Sequence, residues 1–139
     1  MYVFPLSRIG LLFYGPRYGL EPKDWTSGIC DRSETRVYIR DVDRYRGVSR
    51  LWVLSSGARP YRVARAAVRG YLSTIGVKRD SLILPSLTWD FTILERYDLS
   101  DTTRLLAAQA ETFPVPPMPT DPRPGCRPWA RASPLDTIR

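Results

Sequence analysis

The sequence of 139 residues contains no histidine. This absence excludes Ser-His-Asp and Cys-His nucleophilic arrangements, together with every metal site that needs an imidazole ligand. Neither a P-loop with its lysine nor the spaced-glycine dinucleotide pattern is present. The remaining carboxylate, serine and cysteine residues form no convincing catalytic arrangement. We therefore expect no catalytic residue, no metal site and no cofactor.

Long apolar runs are also missing. The longest run near the start is Leu11 to Tyr14, far short of the roughly 20 residues that a membrane-spanning helix needs. The segment after Met1 lacks the basic and apolar regions of a signal peptide. With 43% apolar residues, the chain can still build the core of one ordinary domain.

Lysine is scarce, although the formal net charge is +7. Only Lys23 and Lys78 are lysines, so arginine supplies nearly all of the positive charge. Such a surface attracts phosphates, anionic lipid headgroups or nucleic acid. The arginines are spread from Arg8 to Arg139 and interrupted by acidic residues, whereas nucleic-acid binders cluster them on one face. We therefore do not expect nucleic acid as a partner.

Cys30 and Cys126 are the two cysteines. Two thiols are too few for a four-ligand zinc site. They can pair across a loop of about 95 residues, which the chain-entropy model values at roughly 4–5 kcal/mol, or remain two separate reduced thiols. An oxidising compartment favours the pair and the cytosol favours the thiols.

Hydrophobic patterning predicts alternating strands and helices. Residues 16–35 are predicted to form a long loop that holds Trp25 and Cys30. The predicted strands are residues 2–4, 36–40, 51–54, 81–84 and 91–99, and the predicted helices are residues 6–14, 41–45, 60–75 and 100–110. Asp41 is expected to cap the second helix, and Gly76 is expected to end the third.

This order of elements predicts a small α/β fold, Rossmann-like, with a three-layer sheet whose first three strands are parallel. The short connection over residues 85–90 predicts an antiparallel C-terminal hairpin, because a parallel crossover needs a dozen or more residues. From Pro114 onward, 8 of the 13 prolines occur in 26 residues. We therefore predict a single α/β domain over residues 1–113 and a Pro-rich extended tail over residues 114–139.

A candidate ligand site follows the strand at 51–54. Ser55, Ser56 and Arg59 lie in the turn that leads into the third helix. Ligands of open α/β sheets bind at the carboxyl ends of strands, where helix N-termini favour anions and an arginine can add a bidentate contact. The alternative is an ordinary turn with a solvated arginine.

Two pairs of carboxylates are the other candidates for chemistry. Asp41 lies close to Asp43, and Asp98 lies close to Asp101. Paired carboxylates can hold a divalent cation or act as acid and base. Aspartates next to predicted helix starts are more often N-caps, so we favour the capping role.

Three stretches resemble a known family. They are residues 41–56, which contain Leu51-Trp52-Val53-Leu54-Ser55, the helix end Tyr71-Leu72-Ser73-Thr74-Ile75-Gly76, and residues 94–105, which contain Tyr97-Asp98-Leu99-Ser100-Asp101. Together with Tyr2-Val3-Phe4 and Phe13-Tyr14-Gly15, they are similar to the soluble C-terminal domain of multispanning bacterial glycosyltransferases related to the dolichyl-phosphate-mannose protein mannosyltransferases. The resemblance covers residues 2–110 and depends on the order of the patterns.

The resemblance implies a non-catalytic extracytoplasmic accessory domain, or a fragment, of a membrane glycosyltransferase-like protein. Its partner would be the transmembrane portion of that parent, and it would assist binding of the acceptor, the sugar or the lipid-phosphate substrate. The catalytic acid of such enzymes lies between early transmembrane helices that this sequence lacks. An extracytoplasmic location also implies a Cys30–Cys126 disulfide that ties the tail to the long loop.

A second interpretation does not depend on the resemblance. The chain would then be a free-standing small α/β protein in the cytoplasm, which binds an anionic, phosphorylated ligand through Ser55, Ser56 and Arg59. The two interpretations differ in partner and in compartment.

Overall fold

The computed structural model describes residues 1–30, 34–56, 61–85 and 91–118. They form a mixed α/β fold around a five-stranded sheet, as the sequence predicts. The strands are β1 (Tyr2–Val3), β2 (Thr26–Ser27), β3 (Leu51–Ser56), β4 (Val77–Pro85) and β5 (Phe91–Asp98). The helices are α1 (Ser7–Tyr14), α2 (Thr35–Asp43), α3 (Arg62–Ile75) and α4 (Thr102–Leu105). Arg59, Cys126 and tail residues 119–139 lie outside the described residues.

The sheet begins parallel and ends antiparallel. Its strand order is β2-β1-β3-β5-β4, and β1 is parallel to both β2 and β3. β5 is antiparallel to both β3 and β4, so the predicted C-terminal hairpin is confirmed. β4 begins at Val77, directly after Gly76 ends α3, and is longer than predicted. A register shift between Lys78 and Asp80 marks a bulge near its start.

The prediction of a strand over residues 36–40 is wrong, because these residues belong to α2. The buried residues of α2 are Thr35, Tyr38, Ile39 and Val42, a spacing that places them on one helical face. The prediction relied on the β-branched and aromatic side chains of residues 37–39, and burial against neighbours overrides that weak preference. Asp41 therefore lies inside α2, and the helix predicted to start there is also wrong. The second parallel strand is β2, within the predicted loop.

Helices α2 and α3 pack together and contribute their buried side chains to the hydrophobic core. The strands add Leu51, Val53 and Tyr97 from one face of the sheet, called here the core face. The core is rich in rings: Phe4 stacks on Tyr38 with centroids 6.1 Å apart. The α3 residues predicted to share one side are all buried, namely Ala64, Ala67, Val68, Tyr71, Leu72 and Ile75.

The other face of the sheet, called here the second face, carries Val3, Trp52, Leu54 and Ser56. These residues alternate with the core-face residues along β1 and β3. Helix α1 contacts this face through Ser7, whose hydroxyl donates to the Ser56 hydroxyl at 3.1 Å. The Arg96 guanidinium lies 5.7 Å from the centre of the Trp52 ring. The two faces of the sheet are therefore covered by different elements.

The C-terminal part of the described chain returns to the core. Asp101 is the N-cap of α4, as predicted, but α4 ends at Leu105 and does not continue to Ala110. The first residues of the Pro-rich segment pack against the domain: the Thr35 hydroxyl donates to the Pro116 carbonyl at 2.8 Å. Val115 and Met118 also contact the core.

Candidate functional site

Two of the predicted ligand residues, Ser55 and Ser56, are the last residues of β3 and do not lie in a turn after it as predicted, because the ladder with β5 continues to Ser56. Ser55 is buried on the core face, and its partner in the neighbouring strand is Ile93. Ser56 lies on the second face and bonds to Ser7, a residue that the sequence analysis did not single out. Successive strand residues point to opposite faces, so the two serines cannot contact one small ligand from the same side. Arg59 is outside the described residues.

The amino-terminal end of α1 lies at the same end of the sheet as the carboxyl end of β3, because β1 and β3 are parallel and α1 follows β1. The Ser7 N–H donates to the Phe4 carbonyl at 2.9 Å, and the N-cap residue, Leu6, has an apolar side chain that cannot cap the helix. The first turn contains Arg8 and no acidic residue. A helix start without a carboxylate, next to two hydroxyls, favours an anion. The adjacency of Ser7 and Ser56 was the signal that the sequence alone could not supply.

The carboxylates of Asp41 and Asp43 do not converge on one point. Asp41 accepts from the Tyr2 hydroxyl at 2.9 Å and from the Ile29 N–H at 2.8 Å. Asp43 accepts from the Arg46 guanidinium at 2.9 Å and also from the Tyr71 hydroxyl. Within the described ranges, no group of three or more potential ligands could hold a metal ion.

These contacts also shift the pKa values of the two phenols. Burial, and then the negative charge of Asp41, raise the pKa of Tyr2 well above its usual value. Burial, and then the hydrogen bond to Asp43, raise the pKa of Tyr71. Both tyrosines therefore remain protonated donors at neutral pH. The two aspartates join distant segments of the chain, which is a structural role.

Two partly exposed cations surround the buried carboxylate of Glu95, a residue that the sequence analysis missed. Glu95 is 1% exposed, and its carboxylate lies 2.8 Å from Arg69 and 3.3 Å from Lys78. The Tyr97 hydroxyl donates to it at 3.3 Å. Burial, and then the negative charge of Glu95, raise the pKa of Tyr97 to about 12. The available signal was a charged residue at two-residue spacing from Ile93 and Tyr97, which places all three on the same face of β5.

An open cavity of about 580 Å³ lies between α2 and the segment after β5. Its charged residues are already paired: Arg40 forms a bidentate contact with Glu111 at 2.8 and 2.7 Å. Arg46 pairs with Asp43 at 2.8 Å and donates to the carbonyls of Leu105 and Ala108. The cavity therefore presents neutralised ion pairs, and Arg46 holds the C-terminal segment in position.

Cys30, one of the two predicted disulfide residues, packs against the core. Its sulfur lies 3.1 Å from the Tyr61 hydroxyl oxygen. Because Cys126 is outside the described residues, the Cys30–Cys126 pairing stays a prediction.

Two surfaces expose large apolar side chains. The first, called here the α1 surface, consists of Ile9, Leu12, Phe13, Tyr14, Arg17 and Tyr18. Phe13 is 67% exposed and Tyr18 is 81% exposed. The second, called here the hairpin edge, consists of Leu82, Ile83, Leu84 and Phe91, each at least half exposed. Single exposed apolar residues are ordinary, whereas contiguous groups mark interaction surfaces.

Comparisons of the chain with family models, with curated proteins and with solved structures give no match. In the part of the chain that the structure describes, no helix combines the length and the apolar character needed to cross a bilayer.

Proposed function

We propose that the chain is a non-catalytic, extracytoplasmic accessory domain, or a fragment, of a membrane glycosyltransferase-like protein. In this role it docks on the transmembrane portion of its parent and assists binding of the acceptor or of the lipid-phosphate substrate. The observation that carries the proposal is the hairpin edge. It includes the apolar second half of β4, which is the outermost strand of the sheet and pairs with β5 on one side.

The two halves of β4 differ in how they resist pairing with another chain. The first half contains Lys78, Arg79 and Asp80 and the bulge between Lys78 and Asp80. Charges and bulges are the usual protection of an edge strand. The second half contains Leu82, Ile83 and Leu84, which carry no charge and are exposed on both faces. An unprotected apolar half-strand is expected where a partner covers it.

The position of the hairpin edge favours a role in substrate binding. Pro85 pairs with Phe91, and Thr92 pairs with Ser56, so the exposed half of β4 lies toward the carboxyl end of β3. This is the end of the sheet where Ser7 and Ser56 meet. A membrane-embedded partner docked on the hairpin edge would therefore approach the hydroxyls at that end.

Site-specific photocrosslinking in the native membrane tests this proposal. A photoreactive residue at position 84 is expected to crosslink to a hydrophobic membrane-spanning segment, and the upstream reading frame is expected to encode such segments. The matched control is position 106, because Leu106 is 86% exposed but lies in the segment that follows α4. Equal crosslinking from both positions, or an upstream frame without hydrophobic spans, would refute the proposal.

A second candidate function is favoured by the Ser7–Ser56 contact beside the uncapped start of α1. In this interpretation the chain is a free-standing cytoplasmic protein that binds a phosphorylated ligand at the carboxyl end of β3. Ser56 and Arg59 would contact the anion, and buried Ser55 would hold the turn.

Calorimetric titration with phosphorylated sugars and inositol phosphates tests the second candidate. Arg59→Ala is expected to weaken binding about tenfold, since a bidentate contact to a phosphate is lost. Arg50→Ala is the matched control, because Arg50 is exposed at the opposite end of β3. Equal affinity of the Arg59→Ala variant and the unchanged chain would exclude this site.

We also propose that the arrangement is Rossmann-like, with three layers. Support comes from the parallel β2-β1-β3 order and from α1, which contacts the second face while α2 and α3 contribute to the core.

The intact mass of natively purified protein, measured before and after reduction, tests the extracytoplasmic assignment, because this assignment implies the Cys30–Cys126 disulfide.

A further inference from the structure

Helix α1 carries its apolar side chains on the outside. Its buried residue is Ser7, and Leu11 is half-buried, whereas Ile9, Leu12 and Phe13 are exposed. A surface helix of a globular protein has the opposite arrangement, with its apolar stripe toward the core. The outward face of α1 is therefore built for an apolar environment that the domain itself does not provide.

The same surface is positively charged. Residues 1–20 contain Arg8 and Arg17 and no acidic residue. The first acidic residue is Glu21, which is paired with Lys23 at 2.7 Å. The Arg17 guanidinium lies 5.9 Å from the ring centres of both Phe13 and Tyr14. One guanidinium thus lies close to two exposed rings, so a cationic group and apolar ring atoms are exposed side by side.

From this combination we propose that the α1 surface binds an anionic lipid bilayer at its headgroup boundary. The aliphatic and aromatic side chains enter the apolar side of the boundary, while the Arg17 guanidinium bonds to lipid phosphates. Aromatic rings with a polar tip, such as Tyr14 and Tyr18, favour this depth in the bilayer.

Charge distinguishes a lipid surface from a second copy of the chain. A symmetric dimer through the α1 surface would bury two copies of Arg17 in one interface, with no acidic residue in residues 1–20 of either copy to neutralise them. Anionic headgroups neutralise the same charge. The inference goes beyond the proposed function, since an isolated domain would also bind lipid, and it does not depend on the hairpin edge.

Co-sedimentation of the full chain with vesicles tests the inference. We expect binding to phosphatidylcholine vesicles that contain about 30% phosphatidylglycerol, weaker binding to phosphatidylcholine alone, and a decrease with added salt. Phe13→Ala is expected to reduce the partition coefficient about tenfold, since a ring no longer enters the bilayer. Leu106→Ala is the control, because Leu106 is also exposed but belongs to neither apolar surface, and it should leave binding nearly unchanged.

A second pair of variants tests the charge. Arg17→Glu is expected to weaken binding to the anionic vesicles by about fivefold or more. Arg50→Glu changes the net charge equally and should leave binding nearly unchanged. If Phe13→Ala alters the circular dichroism spectrum, Tyr18→Ser replaces it, because Tyr18 is the more exposed side chain.

Three outcomes would overturn the inference. They are absence of binding to anionic vesicles, equal losses in the Arg17→Glu and Arg50→Glu variants, and a lipid-free dimer that Phe13→Ala dissociates. The last outcome would assign the α1 surface to a second copy of the chain. None of them bears on crosslinking from position 84, so the proposed function is tested separately.

Discussion

The two faces of the sheet are finished in different ways. On the core face, α3 buries its apolar side and leaves Arg62 and Arg65 on the other. On the second face, α1 contacts the sheet through Ser7 and exposes its larger apolar residues. A helix with an apolar outward side can bury that side only against a partner or a lipid bilayer. An amphipathic helix with its apolar side inward completes the core of a domain in water. The core face is therefore completed within the domain, whereas the apolar side of α1 stays exposed, and this exposed side is the surface that we propose to bind lipid.

The largest expected effect comes from equal truncations on the two sides. Leu72→Ala on α3 should lower the free energy of unfolding by about 2–5 kcal/mol, because Leu72 is fully buried and its loss leaves a cavity. Leu12→Ala on α1 removes the same atoms from a side chain that is 41% exposed, and should cost less than about 1 kcal/mol. Urea unfolding followed by circular dichroism measures both. Equal losses would show that α1 is buried in solution.

A pair of glycine substitutions gives changes of opposite sign. A Cβ at Gly76, which ends α3, would collide with Leu99 and with the Asp98 carbonyl, so Gly76→Ala should cost about 1–3 kcal/mol. A Cβ at Gly10 on α1 would meet nothing within 4 Å. Gly10→Ala should stabilise the chain by about 0.5–1 kcal/mol, because alanine restricts the unfolded chain. Thermal unfolding tests both signs, and a lower melting temperature for Gly10→Ala would mean that α1 packs more tightly than described.

Substitution of two glutamates compares an ion pair whose carboxylate is buried with an ion pair at the surface. Glu95→Gln on the core face leaves Arg69 and Lys78 without a carboxylate, and should destabilise the chain by about 1–3 kcal/mol. Glu111→Gln removes the partner of Arg40 at the surface, where ion pairs contribute little. We expect no measurable change for that variant. Chemical unfolding at low and high salt gives the comparison, and a larger loss from Glu111→Gln would contradict it.

The smallest effect concerns acid pH and Asp98, which alternates with core-face Tyr97. Hydrogen bonds from Ser100, and then the contact with Arg79, hold the pKa of Asp98 at about 2, below its usual 3.8. Because the folded pKa lies below the unfolded pKa, the contribution to stability is complete above about pH 4 and is lost as the pH falls through about 2. Carboxyl NMR shifts give the pKa directly. Asp98→Asn should remove this part of the acid dependence, and a midpoint near 4 in the unchanged chain would exclude it.

Local sequence patterns correctly predicted those elements whose apolar residues are also the residues that become buried. β3 is a short run of apolar and branched residues, and α3 has apolar residues at helical spacing, so each was predicted correctly in type. α2 was predicted incorrectly because residues 37–39 favour a strand locally. The helical spacing of Thr35, Tyr38, Ile39 and Val42 was present, but it becomes decisive only when α3 packs against it.

The candidate site was only partly predictable. Ser56 was identified because the sequence placed it just after a predicted strand, although it is the last residue of β3, and its partner Ser7 is separated from it by 49 positions. The Glu95 cluster joins residues of α3, β4 and β5, and a local sequence pattern cannot predict contacts between such separate elements. The exposure of α1 was not predictable, since its apolar spacing is the same whether that side faces a core or a partner.

The sequence by itself determined the classes of chemistry that are excluded, because a missing imidazole cannot be replaced by folding. It also determined the type of most elements, since short-range periodicity controls which side chains share a face. Only the tertiary structure decided which of those faces would be covered. Burial depends on contacts between distant segments, and here they enclose the apolar side of α3 and leave that of α1 exposed.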